Sequence, residues 1–359
     1  MTNLTSRVIH RAMSGILATT LLGVVLLQPA ANACTRILWN NNKLAVVVGR
    51  TMDWPESTQP ILTVFPRGMK RDGGLLASEV VVKENPARWT SKYGSVVTTA
   101  YGVGTVDGLN EKGLGVHLLY LKATDFGPRD VSKAGLQAGL WGQYLLDNAA
   151  TVKEALELMQ KIQPVMVTYQ GIKATLHLSI EDASGDSAII EYVNGKPQVH
   201  HGREFLVMTN DPPYEEQLAL LKKWELDFAN ATRQTMLPGN VDPSHRFVRA
   251  TYFERFLPEP KNQQEAIAGI LAIARNVSVP FGAPNNAPGT LYNTEYRTAI
   301  DLTNKRYFFE LSTSPNVVWL DLAQFNLNPG APVMVLNPDN IALSGNVTTK
   351  FQKALKAPF

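Results

Sequence analysis

Hydrophobic and polar positions along this chain follow two periods. After residue 33, short apolar and β-branched runs dominate. Arg36–Asn40 and Leu44–Gly49 read as strands joined by a hairpin turn at Asn41-Asn42, followed by strands at Ile61–Phe65, Ser95–Tyr101 and Gly115–Tyr120. Asp107-Gly108 and Glu111-Lys112-Gly113 read as turns bounding the last two. A helical period then takes over. Ser132 is placed to cap a helix running to about Asn148, and Thr151 with Glu154 makes a capping box ahead of Ala155, Leu156, Leu158 and Met159. Strands return at Thr175–Ile180, Ser187–Val193, Gln198–His201 and Phe205–Met208, with turns at Ser184-Gly185-Asp186 and Asn194-Gly195. Leu218, Leu221 and Trp224 form an apolar stripe over a helix at Tyr214–Phe228. Phe247–Phe256 and Gln263–Ala274 are further helices, and Asn293–Asp301, Arg306–Ser312 and Val317–Leu320 are closing strands. This order, with no Pro- or Gly-rich linker and no internal repeat, predicts one α+β domain with two sheets and helices packed outside them. The Gly/Pro/Asn-rich stretch from Pro280 to Pro288 reads as a surface connection or a functional loop.

The first 33 residues follow neither period. Arg7 and Arg11 precede a twelve-residue apolar run, Ile16–Leu27, interrupted only by Thr19, Thr20 and Gly23. Ala31-Asn32-Ala33 then forms a small-residue cleavage site, so residues 1–33 read as a removed export signal and 34–359 as the mature domain. The run is short for a bilayer span, which takes about 20 residues, so no stable membrane insertion is expected after cleavage and the mature chain is expected to be periplasmic or secreted.

Composition narrows the partners. The 359 residues are 45% hydrophobic and 18% charged, which excludes a disordered, collagenous or polytopic membrane protein. The net charge of +3 falls to +1 when the two leader arginines are removed, and no block of like charge occurs. A nucleic-acid partner is therefore not expected. One cysteine excludes a disulfide framework and any zinc site with two thiolates. The six histidines lack metal spacing, and no P-loop or dinucleotide fingerprint is present, so no metal or cofactor is expected.

That single cysteine, Cys34, is the residue that cleavage after Ala33 would expose. An N-terminal cysteine joins a thiol nucleophile to an α-amine of pKa about 7.7–8.0, which can serve as its general base. Two other readings stay open: an acylated lipoprotein cysteine, which would make the protein a membrane-tethered binding module, and a small buried hydrophobe. The first is poorly matched by Ala31 and Asn32. The predicted hairpin brings Gly49-Arg50-Thr51-Met52-Asp53-Trp54 back beside Cys34. There Arg50 would lower the thiol pKa and Asp53 would orient the amine, or the two would simply pair at a strand end. Trp54 lines a substrate pocket or fills the core. On residue type alone, Asn210-Asp211-Pro212-Pro213 is a turn or helix cap, Tyr120 a strand aromatic, and Arg246 and Arg249 a solvated helix face.

Taken in order, these motifs resemble the choloylglycine hydrolase and penicillin V acylase family of N-terminal-nucleophile amide hydrolases. The resemblance rests on Cys34, Gly49–Trp54, Asn110-Glu111-Lys112-Gly113-Leu114-Gly115, Thr209–Pro212, Arg246-Phe247-Val248-Arg249 and Asp301–Phe308, and it spans the whole mature chain. It implies a four-layer αββα sandwich of two mostly antiparallel sheets, a small-molecule amide substrate and no cofactor. Cys34 matches the nucleophile, and Arg50 and Asp53 match the pair that positions and activates it. Asn210 matches the oxyanion-hole amide, and Tyr120 falls where a backbone N–H joins that hole. Arg246, or Arg249 one turn on, matches a later arginine supporting the nucleophile. Tyr120 and the leader are similar to the exported, penicillin V acylase-like branch. Bile salts and N-acyl homoserine lactones are the alternative substrates with the same mechanism. The family also implies a homotetramer, although the stretch from Asn210 to Arg246 is shorter than in its bile-active members.

Overall fold

A computed structural model describes residues 34–284 and 292–359 of the chain. Residues 1–33, where the sequence suggests an export signal, and positions 285–288 of the Pro280–Pro288 loop lie outside the described residues.

Two large sheets carry the structure. The first has seven strands in the order Val207–Met208, Thr35–Trp39, Val47–Trp54, Asn293–Asp301, Arg306–Leu311, Val317–Asp321 and Gly345–Asn346. The second has nine, in the order Lys196–His201, Ser187–Val193, Leu176–Glu181, Gly115–Tyr120, Gly104–Asn110, Ser95–Ala100, Ile61–Phe65, Met334–Leu336 and Gln352–Lys353. Pairing is antiparallel throughout the second sheet and in all but the last pair of the first. Helices Pro243–Arg255 and Gln263–Asn276 cover the outer face of the first sheet. Gly49 permits that approach, because a Cβ there would meet Ile270 Cγ1 at 2.9 Å. Helix Trp141–Asn148 covers the second sheet, burying Trp141, Leu145 and Leu146 with Val116, Leu178 and Ile190. The layers therefore run helix, sheet, sheet, helix, as the resemblance implies.

The faces where the sheets meet hold fully buried polar groups among the apolar ones. Arg36 donates to Glu181 through Nη2 at 2.5 Å and Nε at 3.1 Å, and His117 Nε2 lies 2.9 Å from the other Glu181 oxygen. Asp107 accepts from Thr298 Oγ1 at 2.6 Å and from the Tyr307 hydroxyl at 2.7 Å. Arg36–Glu181, Thr298–Asp107 and Tyr307–Asp107 join opposite sheets, while His117 braces Glu181 from the adjacent strand, so the network sets how the layers face each other as well as satisfying buried charge.

Several expectations are corrected. Asp107-Gly108 is not a turn but lies inside the strand Gly104–Asn110. Gly108 is there because the neighbouring strand leaves no room: a Cβ would sit 2.4 Å from Val96 O. The turn is Glu111-Lys112-Gly113, closed by Asn110 Oδ1 accepting from Lys112 N and Leu114 N. The helix expected from Ser132 begins only at Trp141. Before it, Ala134–Gln137 pairs in parallel with Ile162–Val165, and Ser132 is held in a turn by Asp130. The helix expected to reach Phe228 ends at Lys222, and Glu225 has φ +44°. Trp224 is consequently 38% exposed. The second strand runs Val47–Trp54 rather than Leu44–Gly49, since Asn42 Oδ1 caps Leu44 N and Ala45 N in the preceding loop.

The Arg36–Glu181 pair yields a stability test. Burial pushes the Glu181 carboxyl up, but Arg36 and His117 outweigh it and hold it at about 2. A folded pKa below the unfolded value of about 4.3 stabilises fully above that pH and is lost as pH falls towards 2. Glu181→Ala leaves Arg36 buried and unpaired and should cost about 3–5 kcal/mol in denaturant titrations. Glu181→Gln should flatten the pH dependence of stability between about 4.3 and 2.

Candidate active site

The register Thr35↔Thr51 places Cys34 opposite Met52, with Arg50 and Asp53 to either side. Cys34 is 2% exposed. Its Sγ lies 3.5 Å from Met52 Sδ and accepts from Arg50 Nη2 at 3.4 Å. Its nitrogen donates to Asp53 Oδ2 at 3.1 Å.

Arg50 reaches between the sheets. The strands Gly104–Asn110 and Gly115–Tyr120 pair only as far as His117↔Asp107 and then splay. The guanidinium fills that split, donating from Nη1 to Val106 O at 2.9 Å and from Nη2 to Leu118 O at 3.0 Å. Both splayed strands keep their outer partners, through Gly104↔Ala100 and Tyr120↔Leu176.

The carboxylate of Asp53 is fully used. Besides Cys34 N, Oδ2 accepts from Thr51 Oγ1 at 3.1 Å and lies 3.3 Å from Arg246 Nη1, while Oδ1 accepts from Thr294 Oγ1. Arg246, on helix Pro243–Arg255, donates to Cys34 O at 2.7 Å, to Thr35 Oγ1, and to Asn210 Oδ1 at 3.0 Å. Arg249 is not at the site; it donates to the carbonyls of Pro238 and Asn240 and pins that loop. The arginines expected on a solvated helix face are thus buried, because both project toward carbonyls of other segments.

Asn210 Nδ2 donates to Tyr120 O at 2.6 Å, so Asn210 and Tyr120 meet although 90 residues separate them. Asp211 continues the clasp, accepting from Lys122 N at 3.1 and 3.2 Å. All six expected catalytic residues therefore lie in one cluster.

The cluster opens into a cavity of about 140 Å³ between the splayed strands. Its walls are mostly apolar and include Met52, Val106, Leu118, Tyr120, Tyr101 and Tyr169. Trp54 lines it too, donating from Nε1 to the Tyr101 hydroxyl at 2.9 Å and meeting Tyr120 edge-on at 6.1 Å between ring centroids.

Electrostatics correct one expectation. Burial is the largest influence on the Cys34 thiol and pushes it up; Arg50 pulls it down but does not win. A buried thiol of this kind needs a base beside it to react near neutrality.

Two residues of the cluster, Thr294 and Thr51, were assigned no role from the sequence. Thr294 lies 241 positions from Asp53. Thr51 Oγ1 accepts from Thr35 N at 3.0 Å and donates to Asp53, yet threonine in a strand is unremarkable. Among the described residues no group of His, Cys, Asp and Glu is arranged to hold a metal ion, and no helix is long and apolar enough to cross a membrane.

Comparison with known proteins gives this arrangement a context. The model of the linear amide C–N hydrolases, choloylglycine hydrolase family, matches residues 34–335. Penicillin V acylase of Pectobacterium atrosepticum is 36% identical, with 96% of each chain covered. The structure of penicillin V acylase from Agrobacterium tumefaciens superposes with a TM-score of 0.79 at 40% identity, covering 89% of this chain and 98% of that one. Conjugated bile acid hydrolase from Clostridium perfringens shares the fold at a TM-score of 0.72 and 22% identity, covering 87% of this chain and 98% of that one. With a family match beginning at Cys34 and running to residue 335, this chain belongs to the choloylglycine hydrolase family of linear amide C–N hydrolases.

Proposed function

We propose that this amidohydrolase is penicillin V acylase-like and acts through an acyl-enzyme on Cys34, exposed as the N-terminus when residues 1–33 are removed during export. The observation that carries this reading is the position of Cys34: its sulfur faces the cavity and Arg50, while its nitrogen faces Asp53. Cys34 also has φ +89°, a region that costs a non-glycine residue on the order of 1–3 kcal/mol. Cleavage after Ala33 deletes the peptide group that defines this torsion. The buried sulfur speaks against lipidation, because the cavity it faces, of about 140 Å³, is far smaller than a diacylglyceryl group.

In the mechanism, the α-amine takes the thiol proton and the thiolate attacks the amide carbonyl. Asp53 holds the amine in place and Arg50 stabilises the thiolate. Arg246 ties the Cys34 carbonyl, Asp53 and Asn210 into one unit. Asn210 uses one amide proton on Tyr120 O, and the second, with the Tyr120 N–H, stabilises the oxyanion. The amine then protonates the leaving nitrogen, and water releases the acid and regenerates the thiol.

The cavity supports an aromatic acyl group. An apolar cavity of roughly 150 Å³ takes up benzene, close to the 140 Å³ here, and Trp54 and Tyr101 offer aromatic faces to a phenoxyacetyl ring.

Three outcomes test this. Cys34→Ser should fold normally and lose nearly all release of amine from penicillin V, measured beside glycocholate and acyl homoserine lactones; an active variant removes Cys34 from the mechanism. Asn210→Ala should lower kcat by about 10²–10³ with a smaller change in KM. Edman sequencing and intact mass of exported protein should give a free Cys34; another first residue, or added diacylglycerol mass, leaves the amine base without support.

A further inference from the structure

One buried side chain beside Asn210 uses only half of its hydrogen-bonding capacity. Gln217, on the helix Tyr214–Lys222, is 2% exposed. Its Nε2 donates to Asp211 O at 2.8 Å and to Asn210 O at 3.3 Å. Its Oε1 has no hydrogen-bond partner among the described residues. Burying that acceptor unpaired is unfavourable, so an apolar side chain of the same shape would suit the place better were it not for the two donated bonds.

Those bonds fall on one short segment. Asn210 is held at both ends of its side chain, Nδ2 on Tyr120 O at 2.6 Å and Oδ1 on Arg246 Nη2 at 3.0 Å. The Asp211 carboxylate accepts from Lys122 N. These contacts fix the side chains, and Gln217 pins the two peptide units that follow the Asn210 Cα.

The helix that carries Gln217 is tied to the second sheet. Pro213 precedes it without a capping side chain, and Tyr214 N is the first N–H after Pro212-Pro213. Glu191, 1% exposed on the strand Ser187–Val193, supplies the missing acceptor. Its Oε2 accepts from Tyr214 N at 2.9 Å, and its Oε1 lies 2.9 Å from His177 Nδ1. Burial pushes the Glu191 carboxyl up, but His177 and the Tyr214 N–H outweigh it and hold it below the usual carboxylate range. The resulting charge also meets the positive end of the helix dipole. His177 pairs in register with Leu119, next to Tyr120. The path from Tyr120 through His177, Glu191, Tyr214, Gln217 and Asn210 therefore returns to Tyr120. Of its members, His177, Glu191, Tyr214 and Gln217 do not line the apolar cavity.

We propose that Gln217, on a helix anchored by Glu191, is a positioning residue for Asn210, holding its backbone so that the second amide proton of Asn210 meets the oxyanion. This rests on the amide-hydrolase reading above and names what keeps its oxyanion hole in shape. Since the brace does not line the cavity, its effect falls on the transition state rather than on substrate binding.

Gln217→Met keeps the shape of the side chain and removes both donors. Its kcat for penicillin V, counted per Cys34 thiol titrated with iodoacetamide, should fall about tenfold, with KM within about twofold. Glu191→Ala should act in the same direction. Glu191→Gln should recover most of that loss, because its amide can accept from Tyr214 N and donate to the other tautomer of His177. Thermal melts report folding separately. A wild-type kcat in Gln217→Met, or a loss carried by KM alone, would overturn the brace. A second readout needs no turnover. In Cys34→Ala, the side-chain amide NMR signal of Asn210, assigned by its absence when Asn210→Ala is added, should shift and exchange its protons faster when Gln217→Met is added instead. An unmoved Asn210 signal sinks the brace whatever the rates. If wild-type protein hydrolyses no amide while Gln217→Met still releases the Asn210 signal, the brace stands and the hydrolase reading falls.

Discussion

The guanidinium of Arg50 wedged into the second sheet is the contact on which the rest of this structure turns. It leaves the first sheet, enters the split between two strands of the second, and replaces their missing ladder bonds with its own donors to Val106 O and Leu118 O. Arginine suits this place because its planar fork carries several donors at fixed angles and stays charged when buried. One side chain thereby keeps the strands apart, satisfies the exposed carbonyls, and presents a cation to Cys34 Sγ. The apolar cavity is a consequence of the same split, since Val106 and Leu118 form its walls.

The polar interface between the sheets extends this logic. Asp107, His117, Glu181 and Arg36 are each fully buried, and their partners come from across the interface or from neighbouring strands. A purely apolar interface would tolerate sliding of one sheet over the other. Directional bonds between buried charges do not, because a shift leaves a charge unpaired in a medium of low polarity. The cluster around Cys34 draws residues from both sheets and one helix, and it needs that fixed alignment.

Burial works against the cysteine and is answered locally. The thiol is pushed up by desolvation, and in the proposed mechanism its base belongs to the same residue. Asp53 is held by Thr51, Thr294 and Arg246, so it offers the Cys34 nitrogen one fixed acceptor.

Local chemistry determined much of this protein. The β-branched runs, the Asn194-Gly195 hairpin with both residues at positive φ, and the Thr151 cap with Thr151 Oγ1 accepting from Glu154 N were legible because each depends on neighbours a few residues away. The pairing of Cys34 with Arg50 and Asp53 was legible for the same reason, since one hairpin joins them. Gly108 and Ser132 misled because a glycine beside an aspartate and a serine before an apolar run have strong local meanings that tertiary packing overrode. The choice of Arg246 over Arg249, the seat of Thr294, and the apolar cavity were left to the tertiary structure. Each depends on where segments far apart in the chain come to rest, and no periodicity along the chain encodes which of two arginines one turn apart will face a buried carboxylate.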